Sequence, residues 1–382
     1  MTPDRRTLLA LFSLAFGLRI LYAVVFGGDP DVVSHDSYSY RIAARMVESF
    51  DWISTPFAPT APGYRMLLAA TFVFLGVSWW SALILNAVLG GVTVLFLYRM
   101  GERLLGKRVG LWSALWLALS VNHMHFASIA QREVLVTFLL TWLAYALARP
   151  FYRMRTATWT AFLCMLLFHT EPMFLVLLPL VIVFLAAAST HHRALNAQYV
   201  FLFLAALFVF FIPWTARNWV VYRDVVPVSL EATRYTDPVA RLLRDTPPEP
   251  AAPPEATVID KPGFFANERE FWRAVRLEAS PADPAHGRPA EPAWSLRHNA
   301  TSLINYGLLL PFFVVGCVFA VRRRQRAALV LATLVIAYAI LRGFLGATDA
   351  SRLWVEPLII LVAFYGIRVL LDLRTAAGEM PA

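Results

Sequence analysis

The chain has 382 residues, of which 59% are hydrophobic, 14% aromatic and only 15% charged, with a mean hydropathy of +0.59; soluble domains carry roughly 45–50% apolar and 25% charged residues. This composition, with apolar blocks of about 15–25 residues that match the bilayer core, excludes a soluble globular domain, a disordered chain and a disulfide-stapled secreted scaffold. The net charge of +9 and pI near 9.8 do not point to nucleic acid, because 32 of the 34 basic residues are Arg and most sit in groups at the ends of apolar blocks, where membrane topology places them.

The first apolar block, Leu8 to Phe26, follows Arg5 and Arg6 and carries Arg19 deep inside. With no small-x-small cleavage site after it, it reads as an uncleaved first span whose N-terminus is cytoplasmic. HDSYSYRIAARM (His35 to Met46) then reads as an amphipathic helix opened by Asp36 in the first external loop. Tyr64 to Leu75 is too short to cross and is expected as a juxtamembrane or re-entrant helix, whereas Trp79 to Tyr98 is long enough to span. Basic groups at Arg99 to Arg108, Arg149 to Arg155, His191 to Arg193, Arg322 to Arg326 and Arg374 mark cytoplasmic turns, and Ser128 to Glu133, His169 to Pro172 and Gly346 to Glu356 mark external ones. The expected sum is about ten spans with both termini inside. Between Asn218 and Asn299 lie 10 basic and 12 acidic residues and the Pro-rich run PPEPAAPPE. This stretch is expected as one external loop, irregular in its middle, with a single amphipathic helix at NEREFWRAVRLEA (Asn267 to Ala279). The organisation expected is a transmembrane module over 1–217 with its first external loop at 28–78, an extracytoplasmic loop over 218–300 and C-terminal membrane helices over 301–382. Cys164 and Cys317 both lie inside apolar blocks and read as packing residues.

Ionisable groups near a bilayer are costly unless paired or hydrated, so they mark function when topology does not explain them. Here they collect at external ends: Arg19 and Asp36, then Arg65, Arg132 and Glu133, His169 and Glu171, Arg217, and finally Asp349 and Arg352. An external cavity lined by carboxylates and guanidiniums follows. Asp36 serves either as a helix N-cap or as a general base at the membrane surface. Glu133 either favours a helix start or forms part of the site. Arg217, in PWTARN, and Arg352, in DASRLWVEP, either snorkel to the interface or hold phosphate through bidentate donors. Arg19 lies too deep to reach headgroup water and calls for an acidic or phosphate partner. His123 and His125 are two residues apart, which points them to different sides of a helix and argues against a metal site. The remaining histidines, Trp79 and Trp80, and the loop acids read as interface belt or solvated surface.

An Arg in the first span, an Asp followed by Tyr40 and Ala43 in the first loop, APGY before a short helix, PWTARN, and SRLWVEPLIILVAFYG as the last span together resemble the GT-C membrane glycosyltransferases. The resemblance is to the bacterial branch related to protein O-mannosyltransferases and to the aminoarabinose transferase of lipid A. It implies an all-α polytopic bundle and inverting transfer of one sugar from a polyprenyl-phosphate carrier to an extracytoplasmic acceptor, which could be a glycan, a lipid or a protein. It makes Asp36 the catalytic carboxylate, aligns Arg132 and Glu133 with the charged second loop, and offers Arg217 and Arg352 to the carrier phosphate, with Arg19, Tyr40 and Arg65 in the substrate-binding set. Ser37 stands where many relatives carry a second acid, and Ala61 where many carry His or Lys; the expectation is accordingly no metal and no cofactor beyond the lipid-linked donor. The expected setting is the bacterial inner membrane with the site facing outward. A transporter of lipid-linked sugar and an inactive assembly partner are the competing readings; the first predicts polar groups on both sides, where this sequence is one-sided.

Overall fold

The computed structural model describes residues 3–26, 38–52, 61–149, 154–187, 193–223, 225–229, 264, 271–272, 303–345 and 352–378. Among them helices are the only regular elements. In chain order they are α1 (Pro3–Phe26), α2 (Tyr38–Glu48), α3 (Gly63–Leu75), α4 (Trp79–Leu104), α5 (Lys107–Ala118), α6 (Val121–Ala127), α7 (Glu133–Ala148) and α8 (Met154–Thr170), followed by a 3-10 turn (Pro172–Leu177) running into α9 (Leu178–Ala186). After them come α10 (Arg193–Tyr222), a π turn (Leu303–Gly307), α11 (Leu310–Arg322), α12 (Arg326–Leu345) and α13 (Glu356–Gly378).

Among the described residues four helices are long and apolar enough to cross a membrane by themselves, within α1, α4, α10 and α12. Burial separates them: 61% of the apolar window is buried in α4 and α12, but only 17% in α1 and α10. The first two are therefore central and the second two peripheral, with α10 turning Phe201, Phe208 and Val209 outward as a lipid-facing helix would. α3 has 13 residues, as its short apolar block predicts. The block between the Arg99–Arg108 and Ser128–Glu133 turns is interrupted at Leu119 and Ser120, so that α5 ends and the short α6 starts afresh. Asp36, Asp349 and, from the expected loop helix, 267–270 and 273–279 lie outside the described residues; Phe271 and Trp272 are helical within them.

Close helix crossings depend on glycine. Gly101 of α4 and Gly110 of α5 meet backbone to backbone, and Gly316 of α11 meets the Val362 carbonyl while Gly366 of α13 meets that of Phe312. A Cβ at any of these positions would overlap main-chain atoms that cannot yield. Gly90 of α4 has a different role, leaving the space that the Arg19 side chain of α1 fills. One backbone position of a central span thus admits a guanidinium into the bundle interior.

Candidate functional site

Three helix starts converge at one end of the bundle. α7 begins at Glu133, α13 at Glu356, and α6 lies between α5 and α7. Acids favour helix N-termini, where unsatisfied N–H groups and the dipole stabilise negative charge. Both carboxylates are consequently fixed on rigid elements; Glu356 is buried and Glu133 partly so.

The centre of the cluster is Glu356. Its Oε2 lies 3.2 Å from His123 Nε2, and its Oε1 accepts from Arg352 Nε at 3.3 Å. Arg352 lies over the ring of Tyr306, with 3.9 Å between Cζ and the centroid, and its Nη1 reaches the Phe271 carbonyl at 3.5 Å. Phe271 and Trp272 pack on Tyr338 and Phe313, so a piece of the long 218–300 segment is seated against the bundle beside the cluster.

Arg19 lies on the other side of His123. Its residue is 2% exposed, its Nη1 donates to the Ala15 carbonyl at 2.9 Å, and its Nε meets no acceptor. Beside it is a cavity of about 10 Å³ lined by Arg19, Gly90, Thr93, Leu117, His123, Val134 and Thr137, with room for about one water molecule. Among the described residues no carboxylate stands within ion-pair distance of Arg19, so the acidic partner its depth calls for is not beside it.

The second charged loop is held separately. Arg132 Nε lies 3.0 Å from Glu171 Oε2, a carboxylate that is 2% exposed. Glu133 stands within electrostatic range of Arg132 and of Tyr64. Tyr64 donates to Asn86 Oδ1 at 3.1 Å, and Asn86 Nδ2 donates to the Ile129 carbonyl at 2.7 Å. These bonds tie α3, α4 and the 128–132 turn into one frame. Arg65, next to Tyr64, is buried in the same short helix.

Two expected site residues are engaged in packing. Tyr40 of α2 lies edge-on to Phe72, at 5.1 Å between centroids, and beside Trp79; partial burial, with Glu48 nearby, raises its phenol above the ordinary range. Arg217 stacks over Trp214 at 4.9 Å and donates to Asn218 Oδ1 at 2.8 Å, while Asn218 donates to the Val226 carbonyl at 2.6 Å. Arg217 is thus an organiser of the chain's exit from α10.

The structure brings Arg19 and Arg352 together around His123 and Glu356, and Arg132 beside Glu133. It corrects the interface-belt reading for Trp79, which is buried, whereas Trp80 is half exposed; His123 is buried as well. His125 does turn away, as its spacing predicts, to lie edge-on to Tyr22. Among the described residues no three of His, Cys, Asp and Glu gather closely enough to share a metal ion. Glu356 is the main addition to the sequence-derived set. Its only local signal is the i, i+4 spacing from Arg352 at the mouth of an apolar helix.

Residues 59–216 match the family model described as dolichyl-phosphate-mannose-protein mannosyltransferase. Among solved structures, ArnT from Cupriavidus metallidurans bound to undecaprenyl phosphate is similar at TM-score 0.59 and 13% identity, over 94% of this chain and 58% of that one. Its apo form is similar at TM-score 0.57 and 13% identity, over 87% and 55%. The oligosaccharyltransferase AglB from Archaeoglobus fulgidus, in complex with an inhibitory peptide and a dolichol-phosphate, is similar at TM-score 0.53 and 15% identity, over 99% and 52%. The chain spans a little over half the length of these proteins. No curated protein sequence gives a significant match. The chain thus shares the helical fold of these membrane proteins, and its residues 59–216 match the mannosyltransferase family model.

Proposed function

We propose that this membrane protein is an inverting glycosyltransferase that moves a sugar from a polyprenyl-phosphate carrier to an acceptor on the outer side of the bacterial inner membrane. The observation that carries the reading is Arg19, a buried guanidinium with one backbone hydrogen bond, linked through His123 and Glu356 to a second guanidinium, Arg352, in a bundle of GT-C-like fold. A buried cation without a counter-charge is costly, and a lipid phosphate reaching the cluster would supply one. The likeness to proteins whose structures hold undecaprenyl phosphate and dolichol-phosphate supports a carrier of that chemistry.

In this reading Arg19 and Arg352 face the carrier phosphate, which gains negative charge as the sugar leaves, and Arg132, Arg65 and Arg217 frame its approach. The acceptor oxygen attacks the anomeric carbon from the face opposite the phosphate. The carbon–oxygen bond to phosphate breaks with inversion, and the acceptor proton passes to Asp36, with Glu133 as the second carboxylate. No metal and no cofactor enter this scheme. Tyr40, packed on Phe72 and Trp79, sets the position of the helix that follows Asp36. The termini are cytoplasmic, following the Arg-rich turns.

The carrier assignment is tested by titrating undecaprenyl phosphate into the detergent-solubilised full chain and following thermal unfolding. Stabilisation of the wild type is expected. Arg19→Met and Arg352→Gln should each need about 10–100 times more ligand, the effect of one lost charge-assisted contact. Identical titrations of wild type and both variants would remove these arginines from the carrier site.

A further inference from the structure

At the end of the bundle remote from Glu356 lies a cavity of about 360 Å³ between three elements: the turn joining α4 to α5, the turn joining α11 to α12, and the last turns of α13. Its lining is of two kinds: Leu104, Leu105, Tyr365 and Val369 are apolar, while Arg323, Arg368 and Gln325 are polar donors, with Asp372 as the one acid.

The frame is built before any occupant arrives. Gln325 Nε2 donates to the Leu104 carbonyl at 3.0 Å, and Arg368 Nη1 donates to the Leu105 carbonyl; the two bonds tie the turns to each other and to α13. Gly106 has φ of +113°, and a Cβ there would overlap Arg368. Arg324 adopts a left-handed backbone, φ 49°, which closes the turn sharply and sets Arg323 at the rim.

The charges are unequal. Arg368 has Asp372 at 3.7 Å, but among the described residues Arg323 meets no carboxylate and only lies over the Phe319 ring. Arg322, Arg324 and Arg326 surround it in sequence. Topology accounts for arginines at this end; it does not account for a cavity lined by guanidiniums together with Leu, Val and Tyr. An amphiphile with an anionic head and an apolar tail matches both kinds of lining, whereas a free anion matches only one.

We propose that this cleft binds the phosphate headgroup of an anionic membrane phospholipid, with Arg323 and Arg368 on the phosphate and the acyl chains along Leu104, Leu105 and Val369. The lipid would add to the two hydrogen bonds, from Gln325 and Arg368, that already join these turns. The site is separate from the carrier site and does not rest on the transferase reading.

The test uses the full chain in detergent, followed by thermal unfolding while phosphatidylglycerol, phosphatidylcholine of the same chains, or inorganic phosphate is added. Phosphatidylglycerol should raise the midpoint of the wild type, and phosphatidylcholine should not. Arg323→Gln, a change at an exposed side chain, should raise the half-maximal phosphatidylglycerol concentration about fivefold, as one arginine near an anionic headgroup contributes; Arg323→Lys should restore most of it. Arg352→Gln, at the other end, should leave this titration unchanged. Equal responses to the two lipids, or an Arg323→Gln titration that overlays the wild type, would overturn the proposal. Stabilisation by inorganic phosphate matching that by phosphatidylglycerol would also overturn it, assigning the cleft to a free anion.

Discussion

Replacing Glu356 by Ala is expected to lower the thermal midpoint by about 5–10 °C and to abolish transfer. Glu356 is 5% exposed and is the shared partner of His123 and Arg352. Removing one member of a buried ionic group leaves the others uncompensated, which costs about 3–5 kcal/mol, and the shift in midpoint follows from that loss. Arg352 would also lose the contact that holds its guanidinium on Tyr306 and near the Phe271 carbonyl. Glu356→Gln keeps an oxygen for Arg352 Nε and should retain more stability than activity, since the charge that balances Arg352 is gone. Thermal unfolding and sugar-transfer assays on the same preparations check both effects. A Glu356→Ala protein as stable as wild type would show that the cluster is not a coupled unit.

Arg19→Met is expected to move stability and activity in opposite directions. The guanidinium is buried with one backbone bond and an unpartnered Nε, so an apolar side chain of similar length should stabilise the empty protein by about 1–3 kcal/mol. Gly90 leaves room for an unbranched chain at this point. Transfer should meanwhile fall about 10²–10³-fold, as when one preorganised charge-stabilising donor is removed. A purely structural role predicts the reverse pattern, with stability lost and the remaining folded protein fully active. Unfolding without donor, together with kcat/KM measured per folded molecule, separates the two.

Much of the bundle is legible in the sequence because a bilayer turns hydropathy into a local property of the chain. The short block at Tyr64 to Leu75 becomes a 13-residue helix from Gly63 to Leu75, and Glu133 opens a helix as its charge predicts. The opposite sides of His123 and His125 follow from helical geometry alone. The break at Leu119 and Ser120 is not legible, because the residues on both sides are apolar enough to continue one helix and the interruption is set by packing against α1 and α4. Nor is the role of Glu356. Among the described residues six helices, α7 to α12, lie between it and His123 in the chain, and no local pattern records a pairing of that range. Arg19 is intermediate. Its depth in the first span is plain from sequence, but the space at Gly90 that admits it, and the lack of an adjacent acid among the described residues, are properties of the fold.

The most direct test of the account is transfer of labelled sugar from a panel of polyprenyl-phosphate sugars, in membranes containing the wild type or Asp36→Asn at equal folded amounts, with native envelope extract as acceptor. The account predicts transfer from at least one donor by the wild type and its loss, by about 10³-fold or more, in Asp36→Asn. No transfer from any donor by demonstrably folded wild type would contradict the transferase reading and favour a transporter or an inactive assembly partner.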